Sequence, residues 1–130
     1  MDGSLDRILA DAGVRFAYLF GSRVSGCARS DSDADVAIMP DHELGLLERE
    51  RLAARLATEL AVPDVDVVSL DRVSLELRGR VVQEGELVYS ADEPARVAFE
   101  VRTRSEYFDF LPTLERLQRS YLSHVAEHAL

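Results

Sequence analysis

The sequence predicts one α/β (α+β) domain in which a small β-sheet is covered by α-helices. Short runs of apolar, β-rich residues alternate along the chain with longer segments whose apolar residues recur at helical spacing. The length of 130 residues is typical of a single domain. Hydrophobic residues make up 47% and charged residues 30%, the balance of a globular chain rather than a disordered one.

The first half of the chain is predicted to contain two helices and two strands. A short helix with Ser4 as its N-cap is expected to end in a left-handed turn at Gly13. Strands are predicted at residues 14–20 and 33–39, on either side of a polar loop. A long amphipathic helix over residues 43–61 follows, and the next proline ends it.

The second half repeats this alternation and then becomes helical. Residues 64–70 predict a third strand, and the helix after it is expected to end at Gly85, before a short strand at residues 87–90. The rest, from about residue 94 to residue 128, is predicted to be helical, with a break or kink at Pro112. The order of the strands in the sheet does not follow from this pattern.

The charges of the chain exclude several functions. Fifteen basic residues face twenty-four acidic ones, which gives a net charge of -9, and all fifteen basic residues are arginine. Without lysine, the chain has neither a P-loop lysine nor a Schiff-base lysine. The acid surplus also argues against nucleic acid as a direct partner, because such binding requires a basic face.

The sequence further predicts a cytoplasmic protein. Its single cysteine, Cys27, has no partner for an internal disulfide, which favours a reducing compartment. No run reaches the roughly 18 apolar residues of a membrane span, so no membrane association is expected. The acidic first residues do not have the pattern of a secretory signal.

The loop between the first two predicted strands has the residues for phosphate and metal chemistry. Gly21 and Ser22 end the first strand, where a glycine lets the backbone approach a ligand and a serine adds a hydroxyl. Arg23 adds positive charge to this phosphate cradle. Asp33 and Asp35 are two residues apart on the next strand, so their side chains leave the same face and could share one or two Mg²⁺ ions.

A third carboxylate on the third predicted strand could complete the site. Asp66 lies between Val65 and Val67 and could project from the same side of the sheet. There it could bind a second metal ion or accept the proton of an attacking hydroxyl. Asp64 shares its face and remains an alternative.

The GS-x10-DxD signature and the later aspartate in VDVVSL resemble the nucleotidyltransferase superfamily, in particular its minimal nucleotidyltransferases. The resemblance implies one nucleotidyltransferase domain over residues 1–130, with a mixed sheet packed by helices and a helical C-terminal part from about residue 94. It also implies ATP as substrate, about two Mg²⁺ ions and transfer of AMP with release of pyrophosphate.

Carried over by position, the resemblance implies a role for each site residue. Gly21, Ser22 and Arg23 would hold the triphosphate, and three aspartates would be both metal ligands and catalytic residues: Asp33, Asp35 and Asp66. The sequence departs from many relatives by having Ser25 where they have a second arginine, and a smaller apolar residue, Ala34, between the first two aspartates.

The resemblance also suggests a biological role with two alternatives. Minimal nucleotidyltransferases of this type are antitoxins that transfer AMP to a tyrosine of a HEPN-type ribonuclease toxin. The same fold could instead neutralise the toxin by stoichiometric contact without catalysis. It could also modify a small molecule, as aminoglycoside-type nucleotidyltransferases do, but such enzymes usually need an extra domain to hold the acceptor.

Other patterns are weighed against simpler explanations. Asp31, Asp33 and Asp35 match the start of a calcium-binding loop, but its sixth position is not glycine and its twelfth is His42. The HVAEH sequence near the C-terminus matches a zinc-protease motif by chance, and Cys27 is interpreted as a packing residue. Apolar residues of the C-terminal third are predicted to be core, with a docking face as the alternative: Phe99, Tyr107, Phe108, Phe110, Leu111, Leu114, Leu117, Tyr121 and Leu122.

Overall fold

A computed structural model describes residues 3–21 and 34–127 of the chain. Four helices and four strands are present in this part. In chain order they are α1 (Ser4–Asp11), β1 (Val14–Phe20), β2 (Ala34–Pro40), α2 (Leu46–Leu60), β3 (Val65–Ser69), α3 (Leu75–Glu84), β4 (Glu86–Ser90) and α4 (Glu93–Glu127).

The four strands form one mixed sheet in the order β3-β2-β1-β4. β1 lies in the middle and pairs antiparallel with both β2 and β4, whereas β2 and β3 run parallel. The predicted α/β (α+β) class and the mixed sheet are therefore confirmed. The sheet order depends on pairings between distant segments, which local sequence patterns do not determine.

Helices cover both faces of the sheet, and the alternation of side chains along each strand assigns residues to one face or the other. On one face Ala17, Val36 and Val67 pack under α1 and α2, with Leu52 and Leu56 of α2 fully covered. The opposite face packs against α3 and α4 through a second apolar cluster: Phe16, Tyr18, Ala37, Leu70 and Val81. The two central strands, β1 and β2, thus present apolar residues on both faces.

The predicted boundaries hold closely, with two corrections at helix starts. The N-cap of α1 is Gly3 rather than Ser4, because the Gly3 carbonyl accepts the first helical hydrogen bond from Arg7 N at 2.9 Å. α2 begins at Leu46, three residues later than predicted, because the Glu48 carboxylate accepts a hydrogen bond from Gly45 N and makes Gly45 the N-cap.

Of the predicted break or kink at Pro112, the break is wrong, since α4 is one continuous helix of 35 residues, and the kink stays a prediction. Proline removes one hydrogen bond from a helix interior. Residues on both sides of Pro112 are half-buried, among them Phe110 and Leu114, so packing holds the helix together across this position.

α4 is fixed to β1 by a buried polar contact and an aromatic one. The Tyr18 hydroxyl donates a 2.6 Å hydrogen bond to Glu100 Oε2, which also accepts a 2.8 Å hydrogen bond from Arg96 Nη1. Burial, with a smaller contribution from Glu100, raises the pKa of Tyr18 far above its ordinary value, so the hydroxyl remains a donor. The Phe16 and Phe99 rings lie 5.3 Å apart, as expected for core residues.

The prediction that the C-terminal apolar residues are core is only partly right. Tyr107 is buried against Gly79 of α3, where a side chain would collide with the Tyr107 ring. Four other residues of the predicted core are exposed by 59 to 67%: Phe108, Leu117, Tyr121 and Leu122. Helical spacing shows that a helix has an apolar face but not that another element covers it. Among the described residues, no helix combines the length and apolar character needed to cross a membrane.

A surface cluster connects the end of β2 to the start of α2. His42 Nδ1 lies 2.6 Å from Asp41 Oδ1, and His42 Nε2 lies 3.1 Å from Glu48 Oε2. Hydrogen bonding to Asp41, and then to Glu48, raises the pKa of His42 above its ordinary value. Protonated His42 therefore stabilises this connection.

We expect His42→Gln to cost more stability in acid than in alkali. A raised folded-state pKa makes the His42 contribution complete below its unfolded pKa of about 6.5, and the contribution is lost as pH rises through the folded pKa. Urea unfolding at about pH 5.5 and about pH 9 measures the difference between parent and variant, which should be larger at the lower pH. Asp41→Asn should reduce this pH dependence. An equal difference at both pH values would contradict the role of His42.

Candidate active site

The candidate site lies where β1 ends beside the starts of β2 and β3. Phe20, the last residue of β1, pairs with Asp35 across the antiparallel ladder, and Gly21 follows with a φ of +92°. A Cβ atom at Gly21 would collide with Asp35 Oδ2. The absence of a side chain at Gly21 thus makes room for the Asp35 carboxylate, a role that the sequence did not reveal.

The parallel pairing of β2 with β3 places two carboxylates side by side. Asp35 is the direct register partner of Asp66, and Val36 is that of Val67. Neighbouring strands lie about 4.8 Å apart, and register partners project from the same face. Asp35 is half-buried and Asp66 is exposed, so the pair lies at the boundary between the covered part of the sheet and solvent.

Asp64, the alternative to Asp66, lies one residue before β3 and has a structural role there. Its Oδ1 accepts a 3.0 Å hydrogen bond from Val65 N, and its backbone carbonyl accepts one from Ala34 N at 3.2 Å. Asp64 therefore contributes to the start of the β2–β3 pairing. Asp66, not Asp64, lies opposite Asp35.

Three of the predicted site residues, Ser22, Arg23 and Asp33, lie outside the described residues, as do Asp31 and Cys27. Within residues 3–21 and 34–127, no group of three His, Cys, Asp or Glu side chains is close enough together to hold a metal ion. His42, the twelfth position of the hypothetical calcium loop, contacts Asp41 and Glu48 instead. This part of the chain therefore supplies two members of the predicted carboxylate set, Asp35 and Asp66.

The two carboxylates fit a magnesium ion chemically. Adjacent carboxylates repel each other unless a cation or a proton lies between them. Mg²⁺ prefers hard oxygen ligands and typically takes one or two carboxylates together with phosphate oxygens. The pair of Asp35 and Asp66, one half-buried and one exposed, provides that donor set.

Comparison with known protein families identifies the class of this protein. Residues 4–94 match the family described as polymerase beta, nucleotidyltransferase. The chain therefore belongs to the polymerase beta type nucleotidyltransferase family. The matched region ends where α4 begins, so it contains the whole sheet and the candidate site.

The similar proteins point to a narrower group, the minimal nucleotidyltransferase antitoxins. Protein adenylyltransferase MntA of Shewanella oneidensis is 34% identical over 94 residues, which are 72% of this chain and 66% of that protein. Spectinomycin 9-adenylyltransferase of Staphylococcus aureus is 49% identical over 41 residues, 32% of this chain but only 16% of that enzyme. The aligned parts thus span less than the full length of these relatives.

Solved structures extend the similarity to nearly the whole chain. A crystal structure of a toxin–antitoxin with AMP-PNP has a TM-score of 0.68 at 28% identity and covers 98% of both chains. A complex of tri-AMPylated Shewanella oneidensis HEPN toxin with its MNT antitoxin has a TM-score of 0.62 at 27% identity, covering 97% of this chain and 93% of the other. The similarity in fold therefore includes the long C-terminal helix.

The close approach of Gly21 to Asp35 can be tested with Gly21→Ala. Alanine is strained at this positive φ, and its methyl group must displace the Asp35 carboxylate, so we expect stability to fall by about 1 to 2 kcal/mol. Nucleotidyl transfer should fall with it. Urea unfolding and a pyrophosphate-release assay measure the two effects.

Gly13→Ala is the matched control for this substitution. Gly13 has a φ of +74°, and a Cβ atom there would lie 2.7 Å from Asp41 Oδ1, at the opposite end of β1 from the site. It should lose a similar amount of stability, about 1 to 2 kcal/mol, but keep its transfer rate. Equal transfer rates in both variants would show that Gly21 does not position Asp35.

Proposed function

We propose that this chain is an antitoxin that transfers AMP from ATP to a tyrosine hydroxyl of a cognate HEPN-type ribonuclease toxin and thereby blocks that toxin. The observation that carries the proposal is the direct opposition of Asp35 and Asp66 beside Gly21. The similar proteins support it, since MntA is a protein adenylyltransferase and a solved relative is bound to a tri-AMPylated HEPN toxin.

Each site residue has a defined task in this proposal. Gly21, with Ser22 and Arg23 after it, holds the triphosphate through close backbone approach, a hydroxyl and a positive charge. Asp33, Asp35 and Asp66 hold Mg²⁺. When bound, Mg²⁺ neutralises charge on the phosphates and orients them for displacement.

The reaction exchanges a phosphoanhydride bond of ATP for a phosphoester bond to tyrosine. The tyrosine oxygen of the toxin attacks the α-phosphorus of ATP, the bond from that phosphorus to the leaving oxygen breaks, and pyrophosphate departs. Asp66 is exposed at the sheet edge, where a bulky protein acceptor can reach it, and it accepts the tyrosine proton. Asp35, half-buried beside Gly21, stays fixed and orients the nucleotide.

A small-molecule substrate fits the observations less well. The similarity to spectinomycin 9-adenylyltransferase includes only 16% of that enzyme. The shared segment of 41 residues is only 32% of this chain. The structural similarity to toxin–antitoxin chains covers nearly the whole of this chain, which favours a protein acceptor.

We expect Asp35→Asn and Asp66→Asn each to reduce AMP transfer by at least about 100-fold, because each removes a charge that acts on the reacting groups. The parent, incubated with ATP, Mg²⁺ and its cognate HEPN-type toxin, should add AMP to that protein. Intact-mass spectrometry measures the added mass, and a coupled assay measures pyrophosphate.

Asp64→Asn is the matched control for both variants. It removes the same charge close by, and the asparagine oxygen can still accept the hydrogen bond from Val65 N. Transfer should stay within about threefold of the parent rate, as for substitutions away from reacting groups. If the Asp35→Asn, Asp66→Asn double variant still neutralised the toxin fully, stoichiometric contact would replace catalysis as the mechanism.

Metal binding can be measured without turnover. Mn²⁺ is a paramagnetic substitute for Mg²⁺ at oxygen ligands, and electron paramagnetic resonance detects its binding in the presence of AMP-PNP. We expect the double variant to weaken Mn²⁺ affinity at least about tenfold and Asp64→Asn to leave it unchanged. Unchanged affinity in the double variant would exclude Asp35 and Asp66 as metal ligands.

A further inference from the structure

The inner face of α4 is a continuous, mostly apolar seam that extends beyond the part of the helix covered by the rest of the protein. Its residues alternate in steps of four and three, the spacing by which one helix packs along another. They are Thr103, Tyr107, Phe110, Leu114, Leu117 and Tyr121. Since the steps never break, one face of α4 is suited to helix packing throughout this length.

Burial along the seam ends after Leu114. Thr103 and Tyr107 are 3% and 8% exposed, against the sheet and α3, and Leu114 is half-buried. Leu117 and Tyr121 are 59% and 67% exposed, and every residue from 115 to 126 is exposed. We call residues 115–127 the α4 tail.

Two further apolar side chains widen the surface of the tail. Leu122 is 63% exposed and Val125 is 43% exposed, on the same part of the helix as Leu117 and Tyr121. Aromatic and aliphatic side chains grouped in this way are typical of the central contacts of a protein interface. A helix that displays them at the seam spacing fits a groove between helices of a partner.

A second copy of this chain is a poor occupant. The two glutamates and two arginines of the tail cancel, so the whole net charge of -9 belongs to the rest of the chain. Two such bodies repel each other.

A ribonuclease is favoured by the same charges. A protein that cleaves RNA must present a basic surface to a polyanion. Such a surface is attracted to the acidic part of this chain outside the tail. The tail has no net charge, so its apolar side chains can be buried without leaving a buried charge unpaired. The solved toxin–antitoxin relatives resemble 97 to 98% of this chain, which includes the tail.

We propose that the α4 tail is the docking surface for the HEPN-type toxin, with Leu117 and Tyr121 as its central contacts. This inference rests on the proposed function, because it takes the toxin as the partner. The tail holds the toxin through apolar contact, and the carboxylate site acts separately on the tyrosine brought to it. Docking and AMP transfer are thus assigned to different parts of the chain.

The test uses the full chain and the cognate HEPN-type toxin of the proposed function. The double variant Leu117→Gln, Tyr121→Gln removes the two central side chains. Glutamine is a good helix former and both positions are exposed, so the fold should be kept, as circular dichroism can verify. Without ATP, isothermal titration should show toxin affinity reduced at least about 30-fold, the loss expected for central contacts. Tyr121→Phe alone, which keeps the ring, should bind within about threefold of the parent.

Val97→Gln with Val101→Gln is the matched control. These side chains are 48% and 61% exposed on the outer face of α4, away from the seam. This variant should keep toxin affinity within about threefold, as residues outside a central contact do. Equal affinity of the tail variant and the control, or no binding of the toxin by the parent, would overturn the inference.

Two more outcomes separate this inference from the proposed function. If the parent binds the toxin, the tail variant does not, and the parent adds no AMP, docking stands and the proposed function fails. If sedimentation shows a dimeric parent and a monomeric tail variant with unchanged toxin affinity, the occupant is a second copy and the inference is overturned.

Discussion

The register between β2 and β3 is the constraint on which the candidate site depends. Because side chains alternate along a strand, a slip of one residue would turn every side chain of β3 to the other face. Val65 and Val67 are buried under α1 and α2, and a slip would expose them. The core on one face therefore fixes the register, and the register places Asp66 beside Asp35 on the other face. Apolar packing thus determines the position of the charged site.

On the opposite face, the middle of the sheet is covered while the start of β2 remains accessible. α3 and α4 cover Phe16 and Tyr18, with Val81 of α3 in the same cluster, and the hydrogen bond from Tyr18 to Glu100 fixes α4 over β1. Gly21 follows the end of β1, and any side chain there would collide with Asp35. The carboxylate therefore stays half-buried beside backbone, while Asp66 remains open to a large acceptor.

Local features of this fold could be predicted from the sequence, whereas pairings between distant segments could not. β1 begins and ends at the predicted residues because the segment between Gly13 and Gly21 is β-rich and apolar at every position except Arg15. The choice between Asp64 and Asp66 stayed open because both occupy the same face of the strand. The pairing of β3 with β2 places Asp66 opposite Asp35, and that pairing involves residues about thirty positions apart. The role of Asp66 as the third carboxylate stays a prediction. The roles of Ser22, Arg23 and Asp33 stay predictions. The spacing of the seam residues along α4 could be predicted from the sequence. The point beyond which this helix is exposed could not, because it depends on how far the rest of the domain extends along α4.

The surplus of acidic residues affects both nucleotide binding and partner binding. A triphosphate is an anion, and a chain with a net charge of -9 whose site begins with two adjacent carboxylates repels it. Under the proposed function, a divalent cation held by Asp35 and Asp66 would offset this repulsion, because it would interact favourably with carboxylates and phosphates. Such a site would favour the metal-bound nucleotide over the free one. The same surplus leaves the protein attractive to a basic partner, since a cation between two carboxylates neutralises charge only locally. One charge distribution can therefore serve both the nucleotide and a protein acceptor, without a basic surface that would bind RNA.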